Sequence, residues 1–102
     1  MSKQVNQRDA EHYIETRQEF KASAMTGTRD IMSEGRLSGA DCEKYYQDRQ
    51  VIDFVVYSYH TPIAWHTEAE GWYIVSQKFS QTTSKHQNAV RRAVSSELVG
   101  AN

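Results

Sequence analysis

The stretch VIDFVVYSY, from Val51 to Tyr59, decides the fold. Its run of β-branched and aromatic residues is what a half-buried or fully buried strand requires. His60-Thr61-Pro62 then reads as a turn, since proline can open a strand but cannot sit inside a central one. Ile63 to Thr67 returns, Glu68-Ala69-Glu70-Gly71 turns again, and Trp72 to Ser80 reads as a third strand. The segment from Val51 to Ser80 is therefore expected to form an antiparallel meander.

Alternation along a strand sorts these residues onto two faces. With loops of two and four residues, one face carries Ile52, Phe54, Val56, Ile63, Trp65, Trp72 and Ile74. The other carries Val55, Tyr57, Tyr59, Ala64, His66, Tyr73, Val75 and Phe79. An odd loop would exchange partners between the faces. Either way both faces are apolar, so the sheet must be covered twice. The tyrosine-rich face is to be covered either by the N-terminal elements or by another chain.

Outside the meander, Ala10, Tyr13, Ile14 and Arg17 follow helical spacing and predict a helix from about Gln7 to Glu19, capped by Asn6 or Asp9. Phe20 to Thr28 reads as an extended segment, a candidate edge strand, and Asp30 to Gly39 as a connection. Ser38 with Asp41 approximates a capping box, and Leu37 with Cys42 a hydrophobic staple, for a helix ending near Gln50. Ser84 with Gln87 forms a second capping box, for a helix starting within residues 82–84 and ending near Gly100. Ala89, Val90, Ala93, Val94 and Leu98 are its expected buried stripe, with His86 in line and Lys85, Asn88 and Arg92 on another side. The expected fold is α+β: a three- to four-stranded antiparallel β-meander packed with N-terminal and C-terminal helices in a single domain spanning 102 residues.

Charged residues make up 25% and hydrophobic residues 38%, a globular composition. The net charge of −1 is uneven. Residues 1–50 hold eight Lys/Arg against nine Asp/Glu, residues 51–76 hold three acids and no Lys or Arg, and residues 77–102 hold four Lys/Arg against one acid. The meander is acidic and the last helix basic. Cys42 is the only cysteine, which rules out an intramolecular disulfide and a cysteine-rich zinc site. No apolar run reaches the length of a membrane span, and the polar N-terminus does not read as a secretory signal, so a cytoplasmic location is expected.

The segments Ser58-Tyr59-His60-Thr61-Pro62-Ile63-Ala64-Trp65 and Thr82-Thr83-Ser84-Lys85-His86-Gln87, with Trp72 and Phe79-Ser80-Gln81 between them, resemble a set of small bacteriophage-encoded proteins of unknown function, of the kind found in phages of actinobacteria. Their pattern is an SYxTPIA hairpin and a TTSxHQ helix start. The resemblance covers about the C-terminal half. It implies a phage or prophage origin and a host bacterial cytoplasm, and it brings no catalytic residues.

Four constellations carry chemistry. His60, His66 and His86 match no metal-ligand spacing, and no metal or other cofactor is expected. Ser80 or Ser84 with a histidine and Asp53 has the residue types of a triad but no nucleophile-elbow pattern, and catalysis is not expected. Thr83, Ser84 and Lys85 at a helix start, with Arg91 and Arg92 beyond, form a candidate nucleic-acid or anion site. Tyr57, Tyr59, Tyr73 and Phe79 form a candidate protein interface, because aromatic residues dominate interface energetics. The expected function is that of a non-enzymatic phage accessory protein that binds a host or phage protein and pairs with itself as a homodimer. The alternative is a small nucleic-acid-binding phage protein using the basic C-terminal helix.

Overall fold

The computed structural model describes residues 3–98, with backbone alone for residues 7 and 96–98. The elements run β1 (Lys3–Gln4), α1 (Gln7–Glu15), β2 (Phe20–Ala22), β3 (Met25–Thr28), α2 (Gly39–Asp48), β4 (Ile52–Ser58), β5 (Thr61–Thr67), β6 (Gly71–Ile74) and α3 (Gln81–Leu98). The expected α+β class is present, but the sheet has six strands in the order β1-β2-β3-β4-β5-β6. It is mixed: β1 pairs parallel with β2, and every other neighbour is antiparallel. The meander of three to four strands is thus its larger part and not its whole.

The difference arises in the first thirty residues. Phe20 to Thr28 is two strands, because the chain reverses at Ser23–Ala24 with Ser23 at φ 54°. β3 then pairs with β4 and lies inside the sheet, so this segment is not a single edge strand. α1 stops at Glu15, four residues short of its expected end, where the chain turns through Arg17 at φ 53° to enter β2. Asn6 caps α1 as expected, its Oδ1 accepting the Asp9 N–H at 2.8 Å. The third strand of the meander ends at Ile74, and residues 75–80 run as an irregular link to α3.

Turn chemistry also resets the faces. β4 and β5 are joined by the two-residue loop Tyr59–His60, and β5 and β6 by three residues, with Thr67 opposite Gly71. A register shift between Val56 and Tyr57 leaves Ile63 as an extra residue on β5, so that Val55 faces Trp65 and Trp65 faces Tyr73. Trp65 therefore crosses to the tyrosine face. Alternation alone put it on the other one.

Both faces are covered by the chain itself. α1 and α3 bury Ala10, Ile14, Val90, Ala93 and Val94 against Phe20, Phe54, Val56, Ile63 and Trp72. Gly27 lets two rings lie against β3, since a Cβ there would meet Phe20 Cε1 at 2.3 Å and Phe54 Cζ at 2.8 Å. α2 and the connection before it cover the other face, burying Leu37 and Tyr45 against Val55, Tyr57, Trp65 and Val75. Cys42 packs into this second cluster, as a staple partner of Leu37 should. The side chain of Leu98, expected in the buried stripe of α3, and the helix end expected near Gly100 lie outside what the structure describes.

Polar tips hold the second cover in place. The Tyr57 hydroxyl accepts the Met32 N–H at 2.7 Å and meets the Tyr45 hydroxyl at 3.1 Å, while Tyr45 donates to Met32 O. Tyr73 donates to Asp41 at 2.5 Å, and Trp65 Nε1 donates to Asp48 at 3.0 Å. Ser38 makes no side-chain cap, and the reciprocal half of the expected box is absent too: the Asp41 carboxylate is engaged with Tyr73 and the Gln77 N–H, and the Ser38 N–H donates to Gln77 Oε1 at 2.9 Å. Tyr57→Phe keeps the ring and leaves the Met32 N–H without its acceptor, while Tyr45 still donates to Met32 O. It should lower unfolding free energy by about 1–3 kcal/mol in urea titration, with an unchanged m-value.

Candidate functional site

The start of α3 is set by Ser80. Its Oγ accepts the Thr83 N–H at 3.2 Å and its carbonyl accepts the Ser84 N–H at 2.9 Å. The expected capping pair of Ser84 and Gln87 does not form. Gln87 is buried, and its amide donates to Val75 O at 2.9 Å and to Gln77 O at 3.1 Å. Those bonds tie the irregular link 75–80 against the first turns of α3. Phe79, Ser80 and Thr83 are thereby carried to the end of the β4–β5 hairpin.

A cleft of about 370 Å³ opens there, lined by Arg36, Ser58, Tyr59, Thr61, Phe79, Ser80, Thr82 and Thr83. Three segments build it. The hairpin supplies Ser58, Tyr59 and Thr61, and the start of α3 supplies Ser80, Thr82 and Thr83. The connection before α2 supplies Arg36. Gly35 permits that approach: it sits at φ 59°, and a Cβ would meet His60 O at 2.5 Å and Thr61 Cα at 2.7 Å. The next residue then donates its N–H to Thr61 Oγ1 at 3.0 Å.

The floor is a chain of hydroxyls ending on an imidazole. Ser80 Oγ donates to Thr83 Oγ1 at 3.2 Å, Thr83 lies 3.1 Å from Ser58 Oγ, and Ser58 Oγ lies 2.7 Å from His86 Nδ1. Neutral His86 with its proton on Nε2 lets every hydroxyl donate to the next. Burial pushes the His86 pKa down from 6.5, in keeping with that neutral form. At the rim, Tyr59 is 56% exposed and holds φ 58°. Its N–H donates to Ala24 O in the β2–β3 turn at 2.7 Å. Glycine is the usual residue where the first position of a two-residue hairpin loop has positive φ. A tyrosine there costs of order 1–2 kcal/mol.

The four aromatic candidates divide. Tyr59 and Phe79 both line the cleft. Tyr57 is fully buried, and Tyr73 is half-buried against Asp41 and Trp65, with its phenol pushed up to about 12 by burial and then by the Asp41 bond. The anion candidates divide as well. Thr83 belongs to the cleft floor, and Ser84 and Arg91 line a second groove with Lys78. Lys85 and Arg92 line a third groove with Arg8 and Glu11, whose carboxylate accepts from Arg92 at 3.0 Å. The histidines do not converge. His60 is exposed in its turn, His66 bonds Asp53 at 2.8 Å, and His86 bonds Ser58. Among the described residues no group of three His, Cys, Asp or Glu side chains could hold a metal ion. Ser80 and Ser84 lie at the start of α3, beside the Ser58 end of β4, whereas Asp53 stands near the other end, about 16 Å from Ser58 at strand rise, so neither serine meets Asp53 in a triad. No helix among the described residues is long and apolar enough to cross a membrane.

The buried imidazole gives folding a pH dependence. The folded pKa lies below the unfolded value, so the unfolded chain binds the proton more tightly. Stability from this group is full above about pH 6.5 and falls as the pH drops. Thermal unfolding at pH 7.5 and 5.5 should show the wild type losing Tm on acidification. His86→Asn should show a flatter dependence, and equal slopes would contradict this origin.

A family model described as a family of unknown function (DUF8033) matches residues 8–98, and the chain belongs to that family. No curated protein matches the chain significantly, and no solved structure does.

Proposed function

We propose that this DUF8033 member is a non-enzymatic binding module that docks a partner protein on the cleft between the Tyr59–His60 turn and the start of α3. One observation carries the reading. Tyr59 is an exposed aromatic kept at φ 58°, on the rim of a cleft, where glycine would be free of strain. Strained, exposed aromatics at a concave site are what contact surfaces select for. The two segments that carry the phage resemblance support it too, since both line this cleft: Ser58, Tyr59 and Thr61 from one, Thr82 and Thr83 from the other. On that resemblance the partner is a host or phage protein and the setting a bacterial host cytoplasm.

A non-catalytic role fits the floor. Ser58 bonds the His86 imidazole but is 1% exposed, so its hydroxyl presents almost no surface to a bound substrate. A homodimer through the sheet's tyrosine face would have to displace α2, so self-association is proposed at the cleft instead.

Nucleic-acid binding is the second reading, favoured by the packing of α1 on α3, which sets Arg8 beside Lys85 and Arg92. Such binding must weaken steeply with salt.

Tyr59→Gly separates strain from contact. It should stabilise the fold by about 0.5–1 kcal/mol in urea titration. It should also lose the proteins captured by the wild type from nuclease-treated bacterial lysate. Lys85→Gln with Arg92→Gln should leave that capture intact. Capture that survives Tyr59→Gly, or disappears on nuclease treatment, contradicts the cleft reading.

A further inference from the structure

The lining of the cleft is one-sided in charge and in hydrogen-bonding capacity. Among the described residues that line it, Arg36 is the only ionised side chain and none is a carboxylate. Beside Arg36, Thr61 is 5% exposed. Its Oγ1 accepts the Arg36 N–H at 3.0 Å, and the residue lines the cleft, so its own O–H can donate to an occupant. The other floor hydroxyls, Ser58 and Thr83, are committed to the chain that ends on His86. Thr82 lies in the first turn of an 18-residue helix, whose N-terminal potential has the same sign as Arg36. The walls are the rings of Tyr59 and Phe79.

We propose that the cleft binds a carboxylate-bearing segment of the partner protein: an Asp or Glu side chain held by Arg36 and Thr61, with a neighbouring apolar side chain between Tyr59 and Phe79. The inference rests on the cleft being the binding site and adds the chemistry of what enters it. Charge complementarity selects an anion. One guanidinium and one hydroxyl match the two oxygens of a carboxylate. The clustered cations that a phosphate backbone needs lie elsewhere, around Lys85 and Arg92. The aromatic walls select an anion attached to an apolar body over a free ion.

The full chain, labelled with ¹⁵N, tests this by titration with two blocked peptides, acetyl-Gly-Leu-Glu-Phe-Gly-amide and its Gln counterpart. Sodium acetate is a third probe. The Glu peptide should shift the amide resonances of Arg36, Tyr59, Thr61 and Thr82 along a saturating curve. The Gln peptide and the Arg36→Gln variant should each weaken binding by about tenfold, the worth of one charge-assisted bond. Arg36 is exposed and its backbone N–H survives the substitution, so the variant keeps the dispersed spectrum of the folded chain. Equal affinity for the Glu and Gln peptides at these same resonances overturns the carboxylate while leaving the cleft as a binding site. Acetate binding as tightly as the Glu peptide overturns the apolar part. Shifts confined to Lys85 and Arg92, or none at the cleft with any probe, overturn both this inference and the reading it rests on.

Discussion

An aromatic face with polar tips cannot be buried against apolar residues alone. Tyr57, Trp65 and Tyr73 share one face of the sheet, and each carries an O–H or N–H that must keep a hydrogen bond once covered. α2 and the connection before it meet that demand with Tyr45, Met32, Asp48 and Asp41. Lys44 then bridges Asp48 at 3.3 Å and Glu70 at 2.6 Å, which ties the helix to the β5–β6 loop. The pairing is specific in direction and distance, so it sets where α2 lies. The path of residues 29–38 follows from it, and with that path comes the approach of Gly35 and Arg36 to the β4–β5 hairpin. The cleft is a consequence of how the tyrosine face is closed.

The two ends of the molecule thereby differ in what their aromatics do. Between the sheet and α2 the rings pack on Trp65, with Tyr73 of β6 stacked on it at 4.9 Å and Tyr45 of α2 edge-on to it at 5.2 Å. Their area and their polar ends are used within the chain. At the hairpin tip Tyr59 has neither cover nor a favourable backbone conformation. That contrast gives Tyr59 its functional weight, since Tyr45, Tyr57 and Tyr73 are used in packing within the chain and the other exposed tyrosine, Tyr46, lies in α2 with its hydroxyl donating to Glu34 at 2.6 Å.

Much of this was legible in the residues. The β-branched and aromatic run of β4 marks a central strand, and β4 has neighbours on both sides. The demand for two covers also followed from alternation. What failed were features set by single residues acting through tertiary contacts. Trp65 changed faces because one extra residue, Ile63, is accommodated in β5, and no composition signal announces a bulge. Phe20 to Thr28 split because Ser23 adopts positive φ without being glycine or asparagine. Ser80 took the cap that Ser84 and Gln87 were expected to form, since Gln87 was needed by the carbonyls of Val75 and Gln77. A signal for the second cover was present and unread: Asp41, Tyr45 and Asp48 lie at helical i, i+4, i+7 spacing on one face. Two carboxylates flanking a tyrosine on a buried stripe mark a helix that faces donors. Of the cleft, the hairpin and helix-start motifs were visible separately, but their meeting depends on the link 75–80 and could not be read from spacing.

The claim on which the rest depends is that the chain closes its own tyrosine face and leaves Tyr59 outside. Nitration of the folded protein with tetranitromethane, with each site located by mass spectrometry, reads it directly. The account predicts nitration at Tyr46 and Tyr59, which are 49% and 56% exposed, and protection of Tyr45 and Tyr57 until the chain unfolds. Nitration of Tyr57 in the folded protein at a rate like that of Tyr59 would contradict it.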